Sequence, residues 1–195
     1  MRNAVITRNT AETQIALELT LEGSGIAQVS TGCGFLDHML TLFAKHGRFD
    51  LKLECRGDTL VDDHHTTEDV GICLGQALLA LAGDKKGLAR YGSMILPMDE
   101  ALILTALDLS GRATLCFEAN IPAPKVGDFD TELAEEFFLA LVREARVTLH
   151  VRQLAGTNSH HIIEGIFKSF AHSLGAALTK NEALGDSVLS TKEVL

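Results

Sequence analysis

Four of the eight histidines fall into two HHxxE units: His64, His65 and Glu68, then His160, His161 and Glu164. On a helix, positions i and i+4 share a face, so His64 with Glu68, and His160 with Glu164, can each chelate one metal ion. The neighbouring histidine of each pair is turned by about 100° around the helix axis and offers its nitrogen in another direction. Two such helices suggest two metal sites, each completed by a lone side chain from a further helix. His38, in the DHML segment, is the natural extra ligand for one site, and its positional counterpart in the second half is Glu136. Imidazole and carboxylate donors without thiolate suit manganese, iron, cobalt or zinc. Histidines that only cap helices or make buried hydrogen bonds would not each come with a carboxylate three residues after the pair. His150 and His172 match no such unit and read as structural or surface residues.

Repeated elements must position these donors. Alternating apolar residues over 3–8 and 13–21 predict an opening hairpin, followed by a turn at Gly23, Ser24 and Gly25. Helical spacing runs over 35–46 and closes at Gly47; alternation returns over 49–55 as a strand. Asp62 and Asp63 are cap-type residues ahead of a long apolar helix over 64–82. The second half repeats the order. A hairpin is expected from 101–109 and 113–118 around Ser110 and Gly111, then a helix over 132–144, a strand over 147–151 and a helix over 160–178. The expectation is an internally duplicated α+β fold with halves at residues 1–92 and 93–195, sharing one body of two sheets with helices packed on one side.

Composition narrows the function classes. A chain of 195 residues with 46% apolar content can bury an ordinary core. Its net charge of -9, with scattered Lys and Arg, disfavours nucleic-acid binding. No apolar run is long enough for a membrane span, and the first residues lack a signal-peptide pattern. Cys33, Cys55, Cys73 and Cys116 show no CxxC pairing, so they read as buried small hydrophobes in a reducing cytoplasm.

At DHML, DDHHTTED, SHHIIEG and LSTKEVL the sequence resembles the imidazoleglycerol-phosphate dehydratase family. TRNTAET, GLARYG, PMDEALI, DLSGR and LHVRQLAGTNSHH extend the resemblance over nearly the whole chain, in order. The resemblance implies a ribosomal protein S5 domain 2-like fold, two Mn2+ per active site and a shell of 24 subunits with metal sites at subunit interfaces. It implies metal contacts from His38, His64, His65, Glu68, His160, His161 and Glu164. Glu136 is the departure: the family commonly has His before the Phe-Phe pair, where this chain reads EEFF. A carboxylate still suits manganese. Arg90, Arg112, Ser190 and Lys192 are implied as the phosphate clamp, and their donors suit phosphate oxygens.

The reaction so implied removes water from D-erythro-imidazole glycerol phosphate to give imidazole acetol phosphate. Metal binding at both ring nitrogens would create an imidazolate that expels the adjacent hydroxyl through a diazafulvene-like intermediate. Glu12, in TAET, is the expected acid/base, with Asp99 and His46 as reserve candidates and Glu68 and Glu164 as catalytic ligands; Glu12, His38, His46, His64, His65, Asp99 and His160 are also expected to contact substrate. A dinuclear phosphoester hydrolase and a metal-stapled storage shell are the rival readings.

Overall fold

The computed structural model describes residues 1–193; Val194 and Leu195, the end of LSTKEVL, lie outside the described residues. Strands β1 (Asn3–Asn9) and β2 (Thr13–Thr20) form the opening hairpin, and β3 (Ala27–Ser30) leads into α1 (Gly34–Gly47). Strand β4 (Asp50–Gly57) and the long helix α2 (His64–Ala82) complete the first half. The second half comprises β5 (Tyr91–Met98), β6 (Ala101–Asp108), β7 (Thr114–Glu118), the small ribbon β8 (Lys125–Val126) and β9 (Phe129–Asp130), α3 (Leu133–Ala145), β10 (Thr148–Ala155) and α4 (Ser159–Leu178).

Both halves build the same four-stranded sheet, ordered β1-β2-β4-β3 and β5-β6-β10-β7. The registers correspond. Leu19 pairs with Leu51 in the first and Leu107 with Leu149 in the second, and each sheet ends in a strand parallel to its neighbour, β3 along β4 and β7 along β10. Alternation decides the buried face: Ile15, Leu17 and Leu19 point inward from β2, as do Ile103 and Leu107 from β6. Each sheet carries its helices on that one face. Helix α2 lies on β1 and β2, and α4 on β5 and β6, while α2 packs against α3 and α1 against α4 to join the halves.

Phe43, Phe137, Phe138, Phe167 and Phe170 fill the centre, with ring centroids 4.9 to 5.9 Å apart. Where α2 crosses α3, Gly71 and Gly75 let the backbones meet: a Cβ on Gly71 would stand 2.7 Å from the Phe137 carbonyl oxygen. Cys33, Cys55 and Cys73 are buried and Cys116 is half-buried; burial pushes the Cys33 and Cys73 thiols up to about 12 and Cys55 to about 11. Among the described residues, no helix is long and apolar enough to cross a membrane.

Two expectations need correction. The partner of β6 is β5, not β7: the chain reverses at Asp99 and Glu100, with Asp99 at φ 49, and β7 pairs in parallel with β10. The turn signal at Ser110 and Gly111 is real, but it begins a crossover to the far edge. Strand β5 starts at Tyr91, close to the expected boundary between the halves at residues 92 and 93. Asp63 makes no capping bond through its side chain; Asp62 Oδ1 accepts from the His64 N–H at 2.8 Å instead.

Candidate metal centre and phosphate cavity

The start of α4 is fixed from two sides. Asn158 Oδ1 accepts from the His161 N–H, and Glu100 Oε1 accepts from the N–H groups of Thr157 (3.1 Å) and Asn158 (2.8 Å). This aims His160, Glu164 and Lys168, spaced by four, at α1. His38 on α1 brings Nε2 to 3.3 Å from Glu164 Oε2, and His160 Nε2 stands 3.1 Å from the same oxygen. Lys168 Nζ pairs with the other oxygen, Oε1. Phe35 packs edge-on against the His160 ring and walls the cluster on one side.

Glu164 is buried, with 8% of its side chain exposed. Burial alone would raise its pKa; the hydrogen bond and charge of Lys168, with His160 and His38, outweigh it and hold the carboxyl below the usual range. A desolvated anion facing two imidazoles, with all three ligand atoms within 4.8 Å of one another, has the donor chemistry a divalent transition ion takes. The residues fit such an ion. Lys168 escaped the sequence reading, although its spacing of four from Glu164 was the available signal.

Among the described residues, this is the one place where the expected ligands converge within the chain. His64, His65, Glu68, Glu136 and His161 stand apart from it. His65 Nδ1 lies 3.0 Å from Asp58 Oδ2, and its Nε2 is 3.8 Å from Glu12 Oε1. His161 Nδ1 lies 2.7 Å from Glu100 Oε2, and its Nε2 is 3.7 Å from Asp99 Oδ2. The hydrogen bond to Asp58 raises the His65 pKa, and that to Glu100 raises His161; in return His161 and the Asn158 and Thr157 amides hold Glu100 at about 2. Glu68 faces Arg143 of α3 at 3.6 Å, and Glu136 is half-buried on α3. His46 sits further along the α1–α4 seam, its Nδ1 3.3 Å from His172 Nε2, with its pKa lowered by burial and by Lys168.

Arg90, Arg112, Ser190 and Lys192 line a single cavity of about 1070 Å³. Lys85 and Arg146 join them there, two further cations that carried no motif in the sequence. Burial lowers the Lys85 pKa. Arg90, at φ 72, is already engaged: Nε and Nη2 donate to Asp108 at 2.7 and 3.2 Å, and Nη1 donates to the Leu189 carbonyl. It therefore ties the C-terminal segment to the sheet, while Arg112 is exposed toward the cavity.

The two sites lie at opposite ends of α4. The cluster is on its first turns, whereas the Arg90 N–H donates to the Ala177 carbonyl near its last. At 1.5 Å per residue, His160 and Ala177 are about 25 Å apart.

Taken together, these features describe an α+β enzyme fold, duplicated, with metal-ligand-type donors at one end and a cavity lined by cationic side chains at the other. The chain belongs to the imidazoleglycerol-phosphate dehydratase family, carbon–oxygen hydro-lyases of histidine biosynthesis: that family's model, "Imidazoleglycerol-phosphate dehydratase", matches residues 31–174. Similar relatives of that name include those of Desulforamulus reducens, 55% identical over all of this chain and 98% of its own, and Acetivibrio thermocellus, 52% identical over all of this chain and 99% of its own. Among solved structures, the Staphylococcus aureus enzyme is 46% identical with a TM-score of 0.84, over 92% of this chain and 99% of its own. The Pyrococcus furiosus enzyme in complex with (S)-C348 is 37% identical with a TM-score of 0.85, over 97% and 100%.

Proposed function

We propose that the chain dehydrates D-erythro-imidazole glycerol phosphate to imidazole acetol phosphate in active sites shared between copies of itself, with two Mn2+ per site. The separation of the two ends of α4 carries the reading. A substrate spanning roughly 10 Å cannot reach from the His38, His160 and Glu164 cluster to the Arg112, Ser190 and Lys192 cavity of one chain, about 25 Å away by helix rise. A second copy must bring its cavity, and its HHxxE helix, to the first copy's cluster. A closed homo-oligomer meets that need, and our reading takes it as 24 subunits working in the cytoplasm.

His38, His160 and Glu164 would hold one ion, and His64, His65, Glu68, Glu136 and His161 of the assembled copies would complete the ligand set. When bound, the ions would supply Lewis acidity, which would make the imidazole ring a better electron source for expulsion of the adjacent hydroxyl. The chain's own side chains do the rest. Arg112, Ser190 and Lys192, with Lys85 and Arg146 adding charge, hold the phosphate and keep the reacting carbons in register. Glu12 stands on the β1–β2 turn, where Thr10 Oγ1 accepts from the N–H groups of Glu12 and Thr13; its side chain is 54% exposed and, among the described residues, unclaimed by any other side chain within hydrogen-bond reach. It is the group placed to give a proton to the leaving hydroxyl or take one from the neighbouring C–H. The water that leaves carries that proton and hydroxyl, and the enol left behind becomes the ketone.

Coexpression of Arg112→Ala with Glu164→Gln tests the sharing. Each variant alone is expected to be inactive at ordinary substrate levels, and mixed shells should recover activity because roughly a quarter of the sites would draw both intact parts from different copies. Absence of any recovery, with mixed shells verified by mass, would overturn the shared site. Measured beside metal content, a ketone product that keeps its phosphate supports the dehydratase; release of inorganic phosphate would favour a hydrolase.

A further inference from the structure

The second histidine of each HHxxE unit is held by a carboxylate at Nδ1, but the two carboxylates come from different places. Asp58 opens the β4–α2 loop and holds His65, whereas Glu100 belongs to the β5–β6 turn and holds His161. Matching the sheets shows that this is an exchange of roles within the duplication. Glu12 stands as far before Leu19 as Glu100 stands before Leu107, so Glu12 and Glu100 occupy equivalent hairpin turns. The bulge between Gln153 and Ala155 adds one residue to β10, which puts Thr157 where the first half has Asp58. The hydrogen bonds agree with that match: the Asp58 N–H donates to the Glu12 backbone carbonyl, and the Thr157 N–H donates to the Glu100 side chain. Threonine offers no carboxylate, and in that half the hairpin glutamate turns to the histidine instead.

An ionised carboxylate only accepts, so in the neutral ring the nitrogen facing it carries the proton and the other nitrogen keeps its lone pair. In both halves that other nitrogen, Nε2, faces the free carboxylate of the hairpin turn from beyond hydrogen-bond range, 3.8 Å to Glu12 and 3.7 Å to Asp99. We propose that Asp58 and Glu100 are positioning residues that fix His65 and His161 with Nε2 as the ligand nitrogen, and that recruitment of Asp58 in the first half is what frees Glu12 to handle protons. The proposal rests on the metal reading above. It assigns different work to two glutamates in equivalent turns: Glu100 orients a ligand, and Glu12 faces the reacting groups.

The test is Mn2+ titration of the metal-free protein by calorimetry, with the thermal midpoint of each metal-free variant measured alongside. Asp58→Ala and Glu100→Ala should each weaken Mn2+ binding by about 10- to 100-fold, the usual size of losing a group that orients a metal-bound histidine. Asp58→Asn and Glu100→Gln should recover most of the affinity, because an amide oxygen still accepts the Nδ1 proton; they also serve where the alanine variant fails to fold. Glu12→Ala should abolish turnover and leave Mn2+ affinity near wild type. His65→Ala and His161→Ala are the controls on the metal reading itself: if they leave affinity unchanged, that reading fails. If they weaken it while Asp58→Ala and Glu100→Ala bind as wild type, only the positioning roles fail. Equal loss of affinity in Glu12→Ala and Asp58→Ala would overturn the division of labour.

Discussion

The two helix seams of this molecule descend from one plan and have diverged. At the α1–α4 seam, His38, His160 and Glu164 converge on a buried carboxylate; at the α2–α3 seam the corresponding Glu136, His64 and Glu68 do not. Two differences account for it. Four residues beyond Glu164 stands Lys168, which takes the second carboxylate oxygen, whereas four beyond Glu68 stands Ile72, and Glu68 turns to Arg143. The spacing of the helices also differs: Gly71 and Gly75 draw α2 onto the α3 backbone, while Phe167 and Ala171 hold the equivalent places on α4. Duplication preserved the donors, and the residues one turn away decided how far each set assembles within one chain.

Removing one carboxylate from each seam gives the largest contrast. Glu164→Gln should cut kcat/KM by roughly a hundredfold or more, as expected for loss of a metal-holding group. It should also leave the Lys168 ammonium half-satisfied at a site where little of either side chain is exposed, destabilising the metal-free protein by roughly 3 kcal/mol. Glu68→Gln should lose activity too, yet its pair with Arg143 is more than a third exposed and long, so stability should change by less than about 1 kcal/mol. Denaturant melts of both metal-free variants decide the matter; equal losses would erase the distinction between the seams.

The same contrast separates what could be read from the residues and what could not. Helix α2 runs over the predicted residues 64–82, because a long apolar segment bounded by Asp63 and Gly83 leaves little freedom. The donor pairs were visible because helical spacing alone puts i and i+4 on one face. Strand β3, four residues long, was missed, and β7 was assigned to the nearer strand because local turn chemistry at Ser110 says nothing about a parallel pairing with β10. Lys85, Lys168 and Arg146 sit in helical or loop contexts where many cations merely face solvent; only tertiary packing distinguishes them. The partition of His65 and His161 between Asp58 and Glu100 depends on a bulge that no residue type announces.

Alanine placed in each seam measures its closeness. On Gly75 a Cβ would meet the Leu141 carbonyl oxygen at 2.5 Å and Glu144 Cβ at 2.7 Å, backbone and stem that cannot yield cheaply. Gly75→Ala should therefore cost about 2 kcal/mol through overpacking. On Gly175 the nearest atoms are the Gly47 carbonyl oxygen at 3.5 Å and Phe49 Cζ at 4.0 Å, ordinary contact. Gly175→Ala should stabilise by up to about 1 kcal/mol, the helix-propensity gain alone. Thermal midpoints of the two variants check both signs, and a matched loss would mean that α1 and α4 are packed as tightly as α2 and α3.

Proton equilibria supply the smallest and most local contrast. His161 is raised by Glu100, so its contribution to stability is complete below the unfolded value of 6.5 and fades as pH rises through the folded one. Glu100, held at about 2, contributes above its unfolded value of 4.5 and loses that contribution as pH falls through about 2. The pair is thus strongest between those two unfolded values. His46 has the opposite sign: burial and Lys168 lower its pKa, so it favours folding above 6.5 and opposes it as pH falls. Proton-detected titration of the histidine rings should therefore find His65 and His161 above 6.5 and His46 below it. Since a metal ion binds only the neutral ring, the raised pair should delay Mn2+ uptake to higher pH, and Glu100→Gln should move its onset downward in pH even as the affinity reached on the plateau declines. An onset that does not move would show that His161 takes no part in binding the ion.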